Sequence, residues 1–140
     1  MDRKKLVLAA LAAAKGHSYS PVQIQKLMFL IDENLSAELG KTFSFKPCDY
    51  GPYDQAVYRT LDGLIAEGAA YSDHNGQVRQ FGATALGMPA AEQALHSLRP
   101  ETQQYIISLS QWVRSLSFAD LVSAIYKHYP AMKVNSVFNG

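Results

Sequence analysis

The side chains of this sequence best able to do chemistry are four histidines, one cysteine, and a corner rich in tyrosine. His17, His74, His96 and His128 stand in four different segments. No two of them share the i, i+4 spacing by which one helix face holds a metal ion. Cys48 has no second cysteine for an internal disulfide or a cysteine cage. Beside Pro47, with Lys46 as its adjacent cation, it reads as a small packed hydrophobe rather than a reactive thiolate. The sequence contains no glycine-rich phosphate loop, no G-x-S-x-G and no acid pair next to a nucleophile. The expectation is a non-enzymatic protein without metal or cofactor.

The tyrosines point elsewhere. The chain has eight, and tyrosine is enriched at interfaces because it joins a large apolar face to a polar tip. Tyr50, Gly51, Pro52 and Tyr53 form one run, Tyr58 follows, and Tyr126 and Tyr129 stand near the end of the chain. These seven residues are the candidate partner-binding set. Gly51 can take backbone angles closed to other residues, and Pro52 biases the residue before it away from the α region. The Gly-Pro step therefore turns a corner, and the tyrosines beside it offer a gripping surface.

The elements that must hold this corner are mostly helical. Residues 3 to 15 carry Leu6, Val7, Ala10, Leu11 and Ala14 at helical spacing, and Gly16 ends the run. Ser20, Pro21 and Gln23 spell a capping box with proline at the first position, opening a helix through Ile24, Leu27, Met28, Ile31 and Leu35 to Gly40. Phe43 and Phe45 alternate with Ser44 and Lys46, which predicts a strand over 42–46 that Pro47 stops or places at a sheet edge. Asp54 is an N-cap for a helix with Val57, Leu61, Leu64 and Ile65 inside and Gly68 at its end. Asn75-Gly76 marks a hairpin between arms carrying Tyr71 and Phe81. Thr84 is placed to cap a helix from about Ala85, and a helical pattern continues from Pro89. After Pro100, Tyr105, Leu109, Trp112, Val113 and Leu116 read as one amphipathic stripe. Ser117 and Asp120 start a last helix that Pro130 ends, and Val137 and Phe138 are placed to tuck the tail onto the core.

These signals predict a mainly α (α+β) fold, about six helices around one core with a small hairpin, in a single domain over 1–140. A chain of 140 residues with 48% hydrophobic and 18% charged residues suits one globular core. Arg3, Lys4 and Lys5 before "LVLAALAAA" imitate a signal peptide, but the apolar part is mostly alanine and ends in Lys15-Gly16 as a helix does. With no stretch reaching the length of a membrane span, the expectation is a cytoplasmic protein that avoids the membrane. The amphipathic helix with Trp112 is compatible with packing inside one chain or between two copies as a homodimer.

Residues 53 to 87, with a helix, "L-x-x-L-I-x-x-G", the Asn-Gly hairpin and "T-x-x-G", resemble the recognition helix and wing of a winged helix-turn-helix. That likeness implies DNA binding, with Arg59, Arg79 and His74 as candidate contacts. Charge argues against it: from Tyr53 to Thr84 the sum is −2, and the whole chain carries only +1. A closer likeness covers most of the chain. "IQKLMFLID", "FSFKPCDYGPYDQAVYRTLDGLIAEG", "LSFADLVSAIYKHYP" and "NSVF" resemble the Panacea domain, the SocA-like antitoxin family of bacteria and phages. The run Tyr50, Gly51, Pro52, Tyr53 is its most telling piece. Asp54 departs from the family pattern, where serine is common; both residues are good N-caps. The resemblance implies a mostly helical domain that neutralises a toxin by direct binding, in some relatives by delivery to a protease, while others are phage-associated proteins of unknown role.

Overall fold

Two helices, each buried on every side over eight or nine consecutive residues, organise the chain. A computed structural model describes residues 1–76 and 78–138. Helix α1 (Arg3–Ala13), capped by Asp2 accepting from the Lys5 amide, buries every residue from Leu6 to Ala13, not the single stripe its spacing suggested. Its alanines let neighbouring helices approach closely, and a helix apolar all round belongs inside a core. Helix α2 (Pro21–Leu39) opens on the expected capping box, Ser20 and Gln23 satisfying each other's amides. It too is buried all round, from Ile24 to Asp32.

The remaining elements wrap these two: β1 (Lys46–Cys48), β2 (Gly51–Tyr53), α3 (Gln55–Ala66), β3 (Ala70–Asn75), β4 (Val78–Ala83), α4 (Met88–His96), α5 (Pro100–Ser115) and α6 (Phe118–His128), followed by a 3₁₀ turn over Pro130–Lys133. Among the described residues these are six α-helices and two antiparallel hairpins, a mainly α fold with a small β component. α1 packs on α3, α4 and α5, while α2 packs on α5, α6 and β2. Among the described residues no helix is long and apolar enough to cross a membrane.

The strand expected over 42–46 is displaced. The amides of Thr42 and Phe43 donate to the Asp32 carboxylate at 3.1 and 2.8 Å, and that of Ser44 donates to Asp54 at 2.7 Å. Donors committed to side chains cannot join a ladder. Phe43 is buried and Phe45 packs edge-on against Phe29 at 5.5 Å, so both rings serve the core without a strand. The strand forms instead at Lys46–Cys48 and pairs with Gly51–Tyr53, with Pro47 opposite Pro52. Two residues without N–H thus face each other, leaving the flanking pairs to carry the ladder.

The hairpin marked by Asn75-Gly76 forms: Asn75 ends β3 in register with Val78, and Gly76 follows with φ +67°; Gln77 lies outside the described residues. Thr84 caps a turn rather than a helix. Its hydroxyl accepts from the Gly87 amide at 3.0 Å and donates to the Gly68 carbonyl at 2.6 Å, and α4 starts at Met88. Gly87 lies so close to Ala69 that a Cβ would stand 1.9 Å from its carbonyl oxygen.

The stripe expected on α5 is corrected in part: Val113 is buried and Leu109 and Leu116 pack against the core as expected, but Tyr105 and Trp112 do not. Thr102, Ile106, Ser110 and Val113 face the core, while Tyr105 and Trp112 are exposed. Ser110 is tolerated inside because its hydroxyl meets the buried Tyr19 hydroxyl at 2.6 Å. Two polar residues on the inner face had disguised the period. Tyr19 further donates to the Ala10 carbonyl at 2.6 Å and forms an isolated bridge with Phe81, tying α1, α5 and β4 together.

A candidate binding cleft at the tyrosine corner

The corner is assembled from several elements. Asp49 and Tyr50 make the two-residue turn between β1 and β2, and Gly51 enters β2 with φ +104°, a left-handed value that favours glycine. Asp54 then caps α3, its Oδ1 accepting from the Ala56 amide at 2.9 Å. Gln25 of α2 clamps the same residue from both sides: its Nε2 donates to the Asp54 carbonyl at 2.9 Å and its Oε1 accepts from the Asp54 amide at 3.1 Å. The far end of the chain closes the other side. The Val137 amide and the Ser136 hydroxyl donate to the Asp49 carbonyl at 3.0 and 3.2 Å, and Asn135 donates to the Pro47 carbonyl at 3.2 Å.

Between these elements lies a cleft of about 660 Å³. Two aromatic pairs line it, Tyr50 with Phe118 at 5.2 Å and Tyr53 with Tyr58 at 5.8 Å, and Val22 and Val78 extend the apolar wall. Burial and the neighbouring Tyr53 push the Tyr58 phenol upward, so its hydroxyl is a neutral polar tip at neutral pH. The size falls within the usual range for ligand-binding pockets, as does the mix of apolar wall and few polar groups.

The most unusual polar group there is Lys26. It is 3% exposed, yet lines the cleft, and its Nζ donates to the Pro52 carbonyl at 3.1 Å. Among the described residues no carboxylate forms an ion pair with it. Burial pulls its pKa down from 10.5 to about 8, opposed by Cys48 nearby. At neutral pH the ammonium form still dominates, a cation without a paired anion.

Of the seven partner-binding candidates, the structure brings Tyr50, Gly51, Tyr53 and Tyr58 to this cleft. Gly51 and Pro52 are buried and contribute backbone rather than surface. Tyr126 does not belong to the surface either: it is 5% exposed, lies beneath Gly51, and donates to Ser136 at 2.7 Å, supporting the corner from below. Tyr129 packs edge-on against Phe29 at 4.9 Å and is half-buried. Lys26 and Gln25 were missed in the sequence because the helical stripe drew attention to their apolar neighbours. The signal was available in "IQKLMFLID", where apolar residues fall on every face of the helix, so that burying them also buries the polar residues between them.

The nucleic-acid candidates are dispersed in their chemistry. His74 is exposed on β3 and Arg59 is exposed on α3, with a long contact to Gln55 at 3.4 Å. Arg79 lies over the Phe81 ring at 4.5 Å, donates to Ser72 at 2.7 Å, and has Asp62 at 4.0 Å. Its guanidinium is thus partly engaged within the fold, with the side chain 41% exposed. No group of three or more His, Cys, Asp or Glu placed to hold a metal ion occurs among the described residues.

No family model matches the chain, and no curated protein matches it either.

Proposed function

We propose that this chain is a non-enzymatic binding protein that grips a partner protein through the cleft at Tyr50, Tyr53 and Tyr58. In this reading it acts in the cytoplasm in the manner of the SocA-like antitoxins it resembles, neutralising a toxin by direct contact. The single observation that carries the proposal is the cleft itself. Aromatic side chains with polar tips surround a preformed apolar hollow, and its rim residues Tyr50, Val78 and Phe118 are 45, 49 and 46% exposed. The competing reading is a winged-helix DNA binder. Its support is the order of α3 and the β3–β4 hairpin, and against it stand the −2 sum over this segment and the partly engaged Arg79.

The test is affinity capture of the tagged chain from its host, with and without nuclease, comparing wild type with Tyr53→Ala. A small protein retained in stoichiometric amount after nuclease, and lost with Tyr53→Ala, is the expected result. Recovery of DNA with no specific protein would overturn the reading in favour of the wing.

A further inference from the structure

We propose that Lys26 is an anion-binding group at the floor of the cleft, and that the partner segment seated there presents a carboxylate beside an apolar side chain. The inference rests on the partner-binding reading of the cleft and names the chemistry of what fills it. It starts from an imbalance of charge. Lys26 is almost wholly buried, its hydrogen-bond acceptor is the neutral carbonyl of Pro52, and no carboxylate pairs with it among the described residues. A buried ammonium is costly unless it is paired, so an apolar cleft with one cation at its floor is complementary to a single negative charge. An ammonium has three donors and one is engaged, which leaves two for the oxygens of an incoming group.

A carboxylate fits better than a phosphate. One lysine offsets one charge, and the other ionisable group with a formal charge on the lining, Asp49, is itself negative and disfavours a dianion. The apolar companion follows from the walls, where Tyr53, Tyr58 and Val22 offer surface that only an aliphatic or aromatic group desolvates well. A protein segment fits better than a free metabolite because the apolar surface does not stop at the cleft. Tyr50, Val78 and Phe118 stay exposed on the rim, and covering them takes an occupant larger than the hollow.

The experiment titrates the intact ¹⁵N-labelled chain with N-acetyl-L-phenylalanine and, separately, with its neutral amide, following the backbone signals of Gly51 and Tyr53. The two probes share an apolar body and differ in charge. The acid is expected to bind about tenfold more tightly than the amide, as a charge-assisted hydrogen bond implies, and the preference is expected to vanish in Lys26→Met. Lys26→Gln serves as a second variant should the apolar one fold poorly. Equal affinity for acid and amide, an acid preference that survives both variants, or no shift at the corner from either probe would each overturn the inference. Those outcomes are separable from failure of the partner-binding reading, which is decided by the Tyr53→Ala capture.

Discussion

The Lys26 ammonium reaches beneath the corner to the Pro52 carbonyl, 3.1 Å away, and its Cε would stand 3.4 Å from any Cβ placed on Gly51. The turn that presents the tyrosines and the lysine that floors the cleft are therefore parts of one packed unit. A change in either should be felt by the other.

Gly51 is the sharpest test of that unit. Its φ of +104° is strained for any L side chain, and an added Cβ would also touch the Tyr126 ring at 3.5 Å. We expect Gly51→Ala to cost about 1–3 kcal/mol, and Gly51→Val more because of its branched Cβ. Chemical denaturation measures both. An unchanged denaturation midpoint for Gly51→Val would contradict the backbone geometry described above.

Lys26 makes stability depend on pH in an unusual direction. Its folded pKa of about 8 lies below the ordinary 10.5, so between these values the unfolded chain holds a proton that the folded chain has released. Stability due to this group therefore rises with pH across that window, and the burial penalty is complete below pH 8. Lys26→Met lacks this slope. Relative to the variant, wild type should gain roughly 3 kcal/mol from neutral pH to the top of the window, while tyrosine ionisation, common to both chains, cancels. Urea melts of both chains across that range check it; parallel curves would mean the amine is not desolvated as described.

Asp54 does more than cap a helix. Besides accepting from Ala56, its second oxygen accepts from the Ser44 amide at 2.7 Å. Asp54→Ser keeps an N-cap but has a single oxygen, so one of the two amides loses its partner. A loss of about 1–2 kcal/mol is expected, against near-neutrality if capping were the whole role. Faster amide exchange at Ser44 would locate the defect.

Tyr19 should behave as a buried structural hub. Its phenol is held well above the usual range by burial, partly opposed by Ser110 and Arg114. Tyr19→Phe leaves the Ala10 carbonyl and the Ser110 hydroxyl without this partner, at a cost of about 1–3 kcal/mol. Partner capture by the remaining folded protein should be unaffected, since the residue does not line the cleft.

Binding separates the two surfaces. Tyr53→Ala is expected to weaken partner capture by about tenfold or more, as truncation of a central tyrosine anchor does, while Arg79→Ala changes it little. The opposite order would direct attention to the wing and to nucleic acid.

The sequence alone determined the features governed by local physics. The Ser20, Asp54 and Ser117 caps, the glycine after α3, and the buried faces of α3 and α6 were legible because each depends on residues within a few positions of one another. The tyrosine corner was legible as a turn for the same reason. Tertiary structure decided where donors and charges ended up. Asp32, ten residues or more away, took the amides of Thr42 and Phe43 and moved the strand; Ser110 met Tyr19 and turned α5 so that Trp112 faces outward. Lys26 became the floor of a cleft only because Gly51, Pro52 and Tyr126 fold over it. Such pairings join residues distant in sequence: a local pattern such as "IQKLMFLID" marks a polar side chain for burial, but it does not encode which distant group that side chain meets.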